Sequence, residues 1–168
     1  FVFGFGMKTE GVMPTTVPAS DVYKCSKIVG REMSYSSGSD WALVQLDRPV
    51  EGHEPLAINR AGVSDGNPLV VIGHPAGLPT KVAGGANVRD SLAGKVYFVA
   101  NLDTYGGNSG SAVFNETTGE VEGILVRGET DYVYERGCRK SNVCRNEGCR
   151  GEDVTKVTEL ADLIPMLN

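Results

Sequence analysis

Several things are scarce in this chain of 168 residues, beginning with long apolar runs. None approaches the roughly 20 residues that a helical bilayer crossing needs, so a membrane-spanning reading is excluded and no membrane partner is expected. Excess positive charge is missing too. Lys plus Arg number 16 against 21 for Asp plus Glu, a net charge of −5, which leaves no electrostatic footprint for nucleic acid. Histidine occurs twice and tryptophan once. The Phe1-Val2-Phe3-Gly4-Phe5-Gly6-Met7 start lacks an initiator Met and a signal-peptide pattern. Its alternation of large apolar with small residues reads as a strand already under way, so the chain is expected to begin inside a domain. There is no internal repeat and no low-complexity tract.

What is abundant is glycine, 22 residues, with 8 prolines, while charged residues make up 22% and hydrophobic ones 40%. Many turns and enough apolar material for a core exclude disorder and point to short strands. Strand-like runs recur at Val22–Cys25, Trp41–Leu46, Leu69–Ile72, Val96–Ala100, Ser111–Phe114 and Val121–Val126. Such spacing predicts an all-β sandwich or barrel. The polar stretch 52–66, with Pro55, reads as a linker between two β units. Only Val157, Leu160, Ala161, Ile164 and Leu167 repeat at helical spacing, which predicts a short helix over 157–168 with Thr158 as a cap. Of the four cysteines, Cys138, Cys144 and Cys149 crowd a Gly- and Arg-rich loop. They fit disulfides in an oxidising compartment or a metal knot, and the second lacks any nearby His.

Two motifs carry chemistry. Gly106-Gly107-Asn108-Ser109-Gly110-Ser111 sets a serine on a tight glycine turn before the apolar run Ala112-Val113-Phe114. Glycines on both sides let successive N–H groups converge on one spot, as binding of an oxyanion requires, with Gly107 and Ser109 as the donors. Taken by itself, the hexapeptide reads as a plain hairpin turn. Asp40 opens the run Trp41-Ala42-Leu43-Val44-Gln45-Leu46, where a fixed carboxylate can orient an imidazole. Alone, it reads as a turn cap after Ser36–Ser39.

In this order and spacing the two motifs resemble the trypsin-like, chymotrypsin-fold serine peptidases, in particular the bacterial trypsin-like and glutamyl-endopeptidase branch. Ile72-Gly73-His74-Pro75-Ala76-Gly77-Leu78-Pro79 is similar to that branch's turn. Gly123-Ile124-Leu125-Val126-Arg127-Gly128 resembles its substrate-pairing strand, and Val154-Thr155-Lys156-Val157 its closing segment. The resemblance implies two antiparallel β-barrels with the site between them. Residues 1–51 would be the end of the first barrel, 52–66 the inter-barrel linker, 67–156 the second barrel and 157–168 the terminal helix. It implies a serine endopeptidase, secreted or periplasmic, acting on peptides or proteins without metal or other cofactor. Ser109 would be the nucleophile and Asp40 the residue orienting a histidine. Substrate would meet Asp103, Val126, Arg127 and Gly128.

Three departures qualify that carry-over. The family's base is a histidine upstream of the Asp; neither His53 nor His74 matches it, so it is expected before Phe1. Asn108 replaces an Asp that in trypsin-like zymogens pairs with a freed N-terminus, and Val126 replaces a Ser that bonds the orienting Asp. Asp103 has the spacing of a pocket carboxylate selecting Lys or Arg, although Tyr105 replaces a pocket-bracing Cys; a turn-capping Asp is the competing reading. By alternation, Arg127 should point away from the pocket, while Gly128 leaves its entrance open. A different class stays open as well, a pseudoprotease or binding module that keeps the scaffold without the base.

Overall fold

The computed structural model describes residues 1–166. In chain order the strands are β1 (Cys25–Met33), β2 (Asp40–Leu46), β3 (Pro68–Gly73), β4 (Lys81–Asp90) and β5 (Tyr97–Ala100). They continue with β6 (Ala112–Asn115), β7 (Val121–Arg127), β8 (Tyr132–Glu135), β9 (Cys138–Ser141) and β10 (Glu152–Lys156). Six of them close an antiparallel barrel in the order β10-β5-β4-β3-β6-β7, while β1-β2 and β8-β9 form separate two-stranded sheets. The protein is thus all-β, as its turn-rich composition predicts.

Alternation builds the barrel. Leu69 and Val71 on β3, Phe98 and Ala100 on β5, and Val113 on β6 point inward and are buried, joined by Val88, Leu125 and Val154. Where β7 crosses β10, Gly123 is required, because a Cβ there would run into the Thr155 carbonyl. The strand β4, absent from the sequence reading, shows why that reading missed it. Its Gly84-Gly85 pair breaks the alternation, Gly85 sits at φ 77°, and a register shift against β3 marks a bulge. The long strand β1 was legible only at its Cys25 end, because it is exposed on nearly every residue and has no inward face to betray it.

Other expectations need correction. Phe1–Met7 is not a strand: Val2 makes one isolated bridge to Val22, and Gly4 at φ 67° ends the extension. Backbone bonds pin the segment instead, from Phe3 N–H to the Asp21 carbonyl (2.9 Å) and from Thr80 N–H to that of Phe5 (2.9 Å). In place of a helix over 157–168 there are two 3₁₀ turns, Val157–Glu159 and Ala161–Leu163, with Leu167 and Asn168 outside the described residues. Burial of Val157, Leu160 and Ala161 explains the apolar spacing, but Leu160 leaves helical geometry (φ −126°, ψ 5°) and Pro165 keeps Ile164 extended. In the Cys-rich loop, Cys144 and Cys149 form a disulfide, whereas Cys25 and Cys138 are free and exposed.

Residues 52–66 carry no strand and run along the barrel. Ile58 bridges Val121, and Asn59 N–H reaches the Val121 carbonyl at 2.9 Å. Glu122, 1% exposed, completes the attachment. Its two carboxyl oxygens accept from Asn59 Nδ2 (2.7 Å) and Asn115 Nδ2 (2.8 Å), so the buried side chain is held by two amides.

Candidate active site

The loop between β5 and β6 holds Ser109. Two tight turns shape it, with Asn108 N–H on the Tyr105 carbonyl (3.1 Å) and Ser111 N–H on that of Asn108 (2.9 Å). Gly110 N–H donates to the Leu125 carbonyl at 2.7 Å and so ties the loop to β7. Gly107 stands at φ 98°, which a side chain would resist. Among the described residues, the Gly107 and Ser109 N–H groups have no hydrogen-bond acceptor. Ser109 itself is exposed, and its Oγ donates to the Val126 carbonyl at 3.1 Å. Asn108 is buried against Gly73, and its Oδ1 has no partner.

Asp40 begins β2 and is half-buried. Its carbonyl accepts from the buried Thr155 hydroxyl of β10 at 2.9 Å, and β10 pairs with β7. The backbone of Asp40 and the hydroxyl of Ser109 are therefore each one hydrogen bond from the same strand pair. The Asp40 carboxylate has no hydrogen bond among the described residues, in keeping with Val126 where a Ser donor was looked for. It borders a cavity of about 340 Å³ shared with Ser37, Lys95 and Asp153. His74 Nδ1 lies 3.0 Å from the Leu78 carbonyl and its ring stacks on Phe5, while His53 stacks on Phe3. Neither is hydrogen-bonded to Ser109.

A second cavity, of about 290 Å³, opens beside the loop. Asp103 lines it, and so do Glu129, Asp131 and Glu152, with Arg89 and Arg145 on the wall. Arg127 does not reach it. Its Nε bonds Asp153 at 2.8 Å and its guanidinium reaches the Gly38 carbonyl at 3.0 Å, as strand alternation requires. Gly128 lies against the Glu152 carboxylate, where a Cβ would overlap it. Sequence reasoning missed Glu152 and Asp131, because nothing in the run from Gly128 to Glu152 says that Asp131, just before β8, and Glu152, at the start of β10, meet around one cavity. Tyr105 stacks on Tyr132 at 5.6 Å and its hydroxyl meets Ser141 Oγ at 3.2 Å, bracing the cavity where a disulfide was the comparison. No group of three or more potential ligand side chains among the described residues is gathered to hold a metal ion. Nor is any described helix long and apolar enough to cross a membrane.

Burial holds the Glu152 carboxyl above its ordinary pKa, opposed by hydrogen bonds from Glu129 N–H and the Thr104 hydroxyl and reinforced by the Asp131 and Asp153 charges. A carboxyl raised in the folded state destabilises it most above the folded pKa and not at all below the unfolded one. Glu152→Gln is therefore expected to raise the melting temperature at neutral pH, and the gain should shrink as pH falls to about 4. Melts of both proteins across that range check this; a gain independent of pH would assign the effect to packing.

The trypsin-like peptidase domain family matches residues 9–124. No curated protein matches the chain. Among solved structures, the chain is similar to the Rv3671c protease of M. tuberculosis in its active form, at 19% identity and TM-score 0.52, over 79% of this chain and 55% of that one. A mutant of the same protein in its inactive form gives 18% identity and TM-score 0.52, over 77% and 60%. At such identity the likeness speaks to the fold, and the chain spans about three fifths of the length of that neighbour.

Proposed function

Because this chain belongs to the trypsin-like peptidase family, we propose that it works as a serine endopeptidase whose nucleophile is Ser109. The observation that carries the reading is local. Ser109 Oγ is exposed on a glycine-shaped loop, and the Gly107 and Ser109 N–H groups beside it are left without acceptors. In this mechanism Ser109 Oγ attacks the peptide carbonyl and its proton passes to a histidine that lies before Phe1 in the full-length protein. Asp40 holds that histidine's other nitrogen, and the two N–H groups bind the oxyanion. The protonated histidine then gives its proton to the leaving amine, and water releases the acyl group from Ser109. A preference for Lys or Arg before the scissile bond is supported by the Asp103 carboxylate and its neighbours Glu129 and Glu152 around the cavity. The Cys144–Cys149 disulfide fits a secreted or periplasmic protein.

The test is treatment of the full-length protein with a fluorophosphonate, followed by peptide mass spectrometry. An adduct on Ser109 supports the endopeptidase. Folded, mature protein that takes up no label overturns it in favour of a scaffold kept for binding.

A further inference from the structure

The peptide joining Gly106 to Gly107 carries one of the two N–H groups assigned above to the oxyanion. With glycine on both sides its intrinsic barrier to reorientation is low, so its direction has to be set from outside. One contact sets it directly and a second sets the peptide before it. Ala76 N–H donates to the Gly106 carbonyl at 2.8 Å, and Gly106 N–H, which belongs to the Tyr105–Gly106 peptide, donates to Asp131 Oδ2 at 2.7 Å. In a planar trans peptide, C=O and the following N–H point in opposite directions. Holding the Gly106 carbonyl on Ala76 therefore turns Gly107 N–H away from Ala76, and there it meets no acceptor among the described residues.

Of the two anchors, only Asp131 is a side chain, and it comes from outside the loop. It sits immediately before β8, at the root of the hairpin. That root is itself held, since Asn142 N–H donates to the Asp131 carbonyl (2.8 Å) and Asn142 Nδ2 to that of Thr130 (2.9 Å). The tilted ring contact of Tyr105 with Tyr132 holds the same two segments together, one residue before Gly106 and one after Asp131. Inside the loop itself, Asn108 offers no such anchor: it is neutral and its Oδ1 is unpartnered.

We infer that Asp131 is a positioning residue, which holds the Tyr105–Gly106 peptide and so, with Ala76 fixing the next one, keeps Gly107 N–H facing the oxyanion and joins that orientation to the hairpin walling the substrate cavity. The inference rests on the endopeptidase reading. It makes the hairpin part of the catalytic device as well as a wall, since whatever displaces β8-β9 also frees the Tyr105–Gly106 peptide on which that orientation leans.

The experiment compares full-length wild type, Asp131→Ala and Asp131→Asn. The readouts are the rate of fluorophosphonate labelling of Ser109, kcat and KM on a fluorogenic Lys or Arg peptide, and the Gly106 amide resonance. Asp131→Ala is expected to slow labelling and kcat by about 10- to 100-fold, less than outright loss of an oxyanion donor, with KM changed far less. Asp131→Asn keeps an acceptor oxygen for Gly106 N–H and should restore most of the rate. Equal rates in wild type and Asp131→Ala overturn the inference, as does a loss that falls on KM or a loss that Asn fails to rescue. Failure of the endopeptidase reading looks different, because wild type itself then takes no label. In that case the Gly106 amide decides alone. A resonance that moves in Asp131→Ala and stays in Asp131→Asn supports the clamp, and one unmoved in both overturns it.

Discussion

Replacing Ser109 by alanine in the full-length protein is expected to lower kcat by about 10⁶-fold while leaving the fold unchanged. The size follows from the role proposed for Ser109. A triad acts as a unit, so removing the nucleophile leaves only what the oxyanion donors and substrate binding supply. The mild structural effect follows from the surroundings, because the lost hydroxyl is exposed and gives up one hydrogen bond, to the Val126 carbonyl. Asp40→Asn should cost about 10⁴-fold, since it spares the nucleophile and disturbs only the orientation of the imidazole. Steady-state hydrolysis of a peptide ester, with thermal melts as control, separates the cases. A Ser109→Ala protein that still hydrolyses peptide at wild-type rate would remove Ser109 from the chemistry altogether.

The second large effect concerns stability. Phe98→Ala is expected to cost about 3–5 kcal/mol, a large share of the total for a domain of this size. Phe98 is fully buried at the centre of β5, and its ring packs against Gly123 of β7. The cavity left behind has little to collapse into it, because β5, β7 and β10 are held at their separation by ladders that close the barrel. The melting temperature should fall by roughly 6–20 °C. Urea denaturation of the two proteins measures the difference directly; a loss below about 1 kcal/mol would mean that the barrel repacks around the vacancy. The active loop and Asp40 hang from the same strands, through Gly110 N–H on the Leu125 carbonyl and the Thr155 hydroxyl on the Asp40 carbonyl, so activity should disappear with the fold and not before it.

The strands with one buried face, such as β3 and β7, were legible in the amino-acid order, because burial on one side writes apolar alternation into the residues. So was the serine loop, whose glycines answer to local backbone needs that sequence states directly. Glycine-broken β4, two-faced β1 and the 3₁₀ turns after β10 were not, since each takes its shape from a partner strand or from packing instead of from its own pattern.

The sequence by itself determined the all-β class, the family resemblance, and Asp40, Gly107 and Ser109 as the residues to examine. Local chemistry sufficed for the class, because a turn, a cap or an alternating strand is decided by near neighbours, whereas the site residues needed the order and spacing of the two motifs along the chain. Only the tertiary structure decided that Glu152 and Asp131 join Asp103 around one cavity, that Arg127 turns to Asp153, and that a carboxylate 25 positions beyond Gly106 holds its N–H. Those pairings depend on the path of the β8-β9 hairpin and the closure of β10 onto β7, contacts between residues far apart in the chain that no local pattern encodes.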